Sequence, residues 1–110
     1  MTPKQFELAR RIEHHPLWKG VQGSMLARFA WIPDPDYPGQ ERIDLDSWVT
    51  IGGLLGILQA TVDVQIEFLS DKTVVRWSGY QDKGPDGGEI LARALLHVWD
   101  AVDAGVEEDV

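Results

Sequence analysis

The apolar positions of this chain change period several times, and each change marks an element. Phe6, Ala9 and Ile12, with Leu8 beside them, recur at helical spacing. Ahead of them, Thr2-Pro3-Lys4-Gln5 supplies a cap, a proline at the first helical position and the glutamine of a capping box. Pro16 disfavours helix at His15, so this helix is expected to stop near His14, and Leu17 and Trp18 lead back to the core. In residues 25–32, MLARFAWI, Met25, Ala27, Phe29 and Trp31 interleave with Leu26, Arg28, Ala30 and Ile32, which predicts a strand buried on both faces. Residues 33–41, PDPDYPGQE, hold three prolines and a glycine and read as a loop or the tip of a long hairpin. In residues 42–49, Ile43 and Leu45 alternate with Arg42, Asp44 and Asp46, giving a second strand antiparallel to the first. Ser47 or Thr50 then caps a helix running to about Ala60.

The second half opens with the cleanest alternation. Val62, Val64, Ile66 and Phe68 face one way, and Asp63, Gln65 and Glu67 the other. With Asp71-Lys72 as the turn, Phe68 falls opposite Val75, Ile66 opposite Trp77 and Glu67 opposite Arg76. A four-residue loop from Ser70 to Thr73 keeps that register. Residues 81–88 read as a loop, and Asp86 with Glu89 opens a final helix. Its stripe is Leu91, Ala94, Leu95, Val98 and Val102, widened by Ile90 and Trp99, and Gly105 ends it. The order is α-β-β-α-β-β-α. It predicts one α+β domain over residues 1–105, a two-layer sandwich of antiparallel sheet with helices on one face, and an acidic tail at 106–110.

Charge narrows the function. The net charge is −8, and residues 1–30 carry five basic side chains against two acidic ones, so the remaining 80 residues hold the whole acidic excess. A nucleic-acid partner needs a basic footprint, which this distribution does not offer. An acidic surface favours a protein with a basic patch. No apolar run approaches a membrane span, and MTPKQFELARRIE has no apolar signal core, so a cytoplasmic location is expected. With no cysteine there is no thiol nucleophile or thiolate metal site.

Candidate chemistry is sparse. TIGGLLGIL, residues 50–58, is glycine-rich, but no Lys and Ser or Thr follow Gly56, and leucines surround it. A phosphate there would meet hydrocarbon. Gly52 and Gly56 instead fall on one helical face and are expected to let another element pack closely. His14-His15 suit a helix C-terminus, and no HxH, HxxxH or HExxH occurs. Asp34, Asp36 and Glu41 match a calcium loop only in part. Of five tryptophans, Trp31 and Trp77 fit core faces and Trp99 borders one. Trp18 and Trp48 sit in connections and are candidate interface anchors, together with the Asp34, Asp36 and Glu41 carboxylates.

LARRIEHHPLW, TIGGLLGIL and EILARALLHVWDA, in that order, resemble stretches of small uncharacterised proteins encoded by phages and prophages in bacterial genomes. The long PDPDYPGQE insertion departs from that pattern. The resemblance implies an accessory role and no residue-level site. The expected function is therefore non-catalytic binding of a basic protein, as an inhibitor or decoy, with no cofactor. The alternatives are a small-molecule binder using space between the sheet and helix 48–60, and a carboxylate enzyme at the 33–41 loop. A homodimer through a sheet edge stays open.

Overall fold

The computed structural model describes residues 1–22 and 28–105. The chain is an α+β protein: α1 (Pro3–Glu13), α2 (Trp18–Gln22), β1 (Trp31–Pro33), β2 (Glu41–Ile43), α3 (Trp48–Thr61), β3 (Gln65–Phe68), β4 (Thr73–Trp77), β5 (Tyr80–Gly84) and α4 (Gly87–Asp103). The strands form two antiparallel sheets, β1–β2 and β3–β4–β5. The expected strand over 25–32 narrows to β1, and its residues 25–27 lie outside the described ones, as does the 106–110 tail. The second strand is likewise cut to β2, because Asp44 and Ser47 turn the chain into α3.

The helix starts follow local chemistry. Thr2 Oγ1 accepts from Gln5 N at 3.2 Å and Gln5 Oε1 accepts from Thr2 N at 2.7 Å, which closes the capping box of α1. Ser47 caps α3 through Val49 N, and Asp86 caps α4 through Glu89 N. Ala9, Ile12, Leu54, Leu58, Leu91, Leu95 and Val98 then share one core with Ile43, Leu45 and Val75. α4 is its spine, with α1 and α3 against it and the β3–β4–β5 sheet beneath. Val102, expected on the buried stripe, is exposed near the C-terminal end of α4.

Two sheet details differ from the sequence reading. Phe68 pairs with Thr73 and Ile66 with Val75, so the turn is Ser70-Asp71 and the register is two residues from the expected one. A two-residue shift leaves every side chain on its expected face. Arg76 still meets Glu67, diagonally, at 3.1 Å. β5 is an added strand in what reads as loop. Ser78 and Gly79 have φ of 43° and 83°, the type I′ geometry that folds β5 back onto β4.

The glycines of α3 are the second correction. A Cβ at Gly52 or Gly56 would meet nothing within 4 Å, so both face solvent and neither packs against another element. The close approach is at Gly53, where a Cβ would collide with the Arg28 carbonyl oxygen and touch the Phe29 ring.

Candidate functional site

Asp34, Asp36, Glu41, Trp18 and Trp48 do not converge. Trp18 is 4% exposed. α2 turns its ring inward onto Phe29, with centroids 5.3 Å apart, and Trp31 stands edge-on to both. Trp18 is therefore a core residue and not an interface anchor. Trp31, expected in the core, is the outer member of this trio and is 44% exposed.

Asp34 is buried and holds the 33–41 loop in place. Its carboxylate accepts from Arg10 Nη1 at 3.0 Å and from Asp36 N at 2.9 Å, with Arg42 Nε 3.0 Å away but not aligned for a hydrogen bond. Burial works against the charge, but the Asp36 N–H, Arg10 and Arg42 outweigh it and hold Asp34 below the usual carboxylate range. Tyr37 lies over both guanidinium groups, 5.2 and 5.4 Å from its ring centre. Arg42 Nη1 also lies 3.7 Å from Glu13, whose carboxylate accepts from Ile43 N. Burial raises the Glu13 pKa, offset in part by that N–H and by Arg42. Asp34 is thus a structural ion-pair partner that no docking protein could reach. Asp36 and Glu41 are exposed but stand on this loop, away from Trp48.

Trp48, read from the sequence as a connection residue and candidate anchor, is 78% exposed. It opens α3 immediately after the Ser47 cap. It borders a cleft of about 610 Å³ between the start of α3, the β3–β4 turn and the start of α4. Leu45, Ile51, Phe68 and Leu69 supply the rest of its apolar lining. Phe68 and Leu69 are each 47% exposed, because α3 packs along α4 and leaves the hairpin tip uncovered. Gly87 keeps the floor open: a Cβ there would lie 3.1 Å from Thr73 Oγ1 and 3.7 Å from the Phe68 ring.

The rim is acidic. Asp46, Asp71 and Asp86 border the cleft, with Lys72 the one base among its described lining. The Gln5 side-chain amide donates to Asp46 Oδ1 at 3.3 Å and to Asp86 Oδ2. One residue of α1 thereby fixes the carboxylates that precede α3 and α4, where the helix dipoles favour negative charge. Gly88 completes the joint, since a Cβ there would collide with the Leu45 carbonyl oxygen. No histidine lines this cleft among the described residues, and no three metal-ligating side chains gather there or elsewhere among them. The arrangement offers a rigid apolar floor, an aromatic wall and fixed negative charge.

The sequence reading named Trp48 and missed Phe68, Leu69 and Gln5. Leu69 carried a signal: strict alternation from Val62 places it on the polar face, where a leucine cannot be core. The remaining polar clusters are structural. Asp82 takes a two-pronged contact from Arg93, at 2.7 and 3.1 Å, and accepts from Tyr80 Oη. Burial and Asp82 push Tyr80 up to about 12. His15 Nε2 lies 3.0 Å from Asp100, with its ring against Trp99. No helix among the described residues is long and apolar enough to cross a membrane. No family model, curated protein or solved structure matches this chain.

Proposed function

We propose that this is a non-catalytic, cytoplasmic accessory protein of phage or prophage origin that acts by binding another protein with a basic surface. The cleft at Trp48 is its contact surface. The observation that carries this reading is the exposure of Trp48 beside Phe68 and Leu69. Large rings held rigid at a surface are the residues that dominate binding energy at protein interfaces. The three carboxylates of the rim and the net charge of −8 favour a basic partner, whose own site it would block as an inhibitor or decoy. The cleft does lie between the sheet and α3. However, it opens at Trp48 and not beside Gly52 and Gly56, so the space expected for a small ligand at those glycines is solvent.

The test is affinity capture from bacterial lysate with the parent chain and with a Trp48→Ser/Phe68→Ser variant, read by mass spectrometry. A basic protein retained by the parent, lost on the variant and released at moderate salt is the expected result. Partners that bind both chains equally would overturn the assignment of the cleft.

A further inference from the structure

The cleft reading leaves the partner's conformation open, and the sheet beside it specifies one. Leu69 N–H donates to Lys72 O at 2.8 Å. Bonded and non-bonded pairs alternate in an antiparallel ladder, so Glu67–Val74 and Gln65–Arg76 exchange the next bonds. Ile66 and Phe68 therefore turn their N–H and C=O groups away from β4. β3 is the outermost strand in the order β3–β4–β5, so these groups face no strand of the sheet. No backbone hydrogen bond from another described segment reaches Ile66 or Phe68, and an unpaired edge of this kind is a template for an added strand.

The two faces of β3 differ in chemistry. On the helix side Ile66 is half-buried, and Phe68 leads into the Trp48 cleft. On the opposite side Gln65 and Glu67 are exposed, and Asp63, two residues ahead of the strand, is exposed as well. Arg76 meets Glu67 at 3.1 Å, while Asp63 has no ion-pair partner among the described residues. An added strand places alternate side chains on these same two faces. Its inner residues must be apolar, to cover Ile66 and Phe68, and its outer residues must be Lys or Arg, to stand beside Asp63 and Glu67. A second copy of this chain would instead bring its own Asp63 and Glu67 to that row, at a net charge of −8 per chain.

Resting on the cleft reading, we propose that the partner docks as an extended segment of alternating apolar and basic residues. It adds a strand to the edge of β3, with one bulky apolar side chain entering between Phe68 and Trp48.

The probe is a fluorescent peptide of about eight residues alternating valine and lysine, titrated into the full chain by anisotropy. The same composition in two blocks, and a valine–glutamate version, should bind at least about tenfold more weakly. Because alternate amides point to opposite strand edges, N-methylation of one alternate set should cost about tenfold or more, and methylation of the other set little. Asp63→Lys/Glu67→Lys, both exposed and checked by circular dichroism, should reverse the preference towards the glutamate peptide. Equal effects of the two methylated sets, whether none or complete loss, would overturn strand addition. So would a dimer of the chain alone that the double variant abolishes. If the peptides fail while Trp48→Ser/Phe68→Ser still releases a captured partner, the cleft reading stands and strand addition falls.

Discussion

Four glycines separate what a residue type allows from what its surroundings require. Gly52 and Gly56 sit mid-helix with open space where a Cβ would go. Glycine there costs about 0.5–1 kcal/mol in backbone entropy against alanine. Gly52→Ala and Gly56→Ala should each raise the unfolding free energy from urea titration by roughly that amount, and a fall in either would mean an unseen contact. Gly53 and Gly88 lie against the carbonyl oxygens of Arg28 and Leu45. Gly88→Ala should cost about 1–3 kcal/mol in the same measurement, because backbone must move to admit the methyl group. The sequence could not sort Gly53 from Gly52. Leu54, Leu55, Ile57 and Leu58 make α3 apolar all round, so no polar face orients it. At Trp48 the sequence offered only a place in a connection, because Asp44 and Asp46 read as strand positions; the Asp44–Ser47 turn that sets the ring at the start of α3 is a feature of the fold.

At the scale of elements, periodicity succeeded where one face is wet. α1, the β3–β4 hairpin and α4 up to Trp99 show it, whereas Val102 of the expected α4 stripe is exposed. It failed on register, because Ser70-Asp71 and Asp71-Lys72 both close the hairpin with identical facing, and only the hydrogen bond from Leu69 N–H to Lys72 O separates them. It failed on β5 because QDKG carries no apolar alternation. What holds β5 is tertiary: Asp82 reaches Arg93 on α4, eleven residues away. The available signal was Ser78-Gly79, a two-residue pair suited to positive φ. Gly79 sits at φ 83°, where a side chain costs about 1–2 kcal/mol. Gly79→Ala should lower the urea midpoint accordingly, whereas Ser78→Asn, which tolerates φ 43°, should hold or raise it. Equal losses from the two would show that the turn is not setting the hairpin.

For the whole molecule, the joint between α1 and the β1–β2 unit is ionic, and that part was illegible in the sequence. Asp34 reads as a loop carboxylate until the fold brings Arg10, 24 residues away, within 3.0 Å. The joint carries a sign that pH can read. Asp34 and Asp82 have folded pKa values below the ordinary 3.8, so their stabilisation is present above that value and is lost as pH falls through the depressed ones. Glu13 works in reverse. Its folded pKa lies above the ordinary 4.5, so its contribution is complete below 4.5 and is lost as pH rises through the raised value. Urea midpoints measured from about pH 7 to about pH 3 should therefore show a shallow gain on first acidification, then a steep loss below the ordinary carboxylate range. Glu13→Gln keeps a carbonyl to accept from Ile43 N and should flatten the gain while leaving the loss. Asp34→Asn should be less stable at neutral pH, since Arg10 and Arg42 lose a buried counter-charge, and its acid limb should be shallower. An acid limb as steep as the parent's in Asp34→Asn would place the acid sensitivity elsewhere and leave this joint as packing alone.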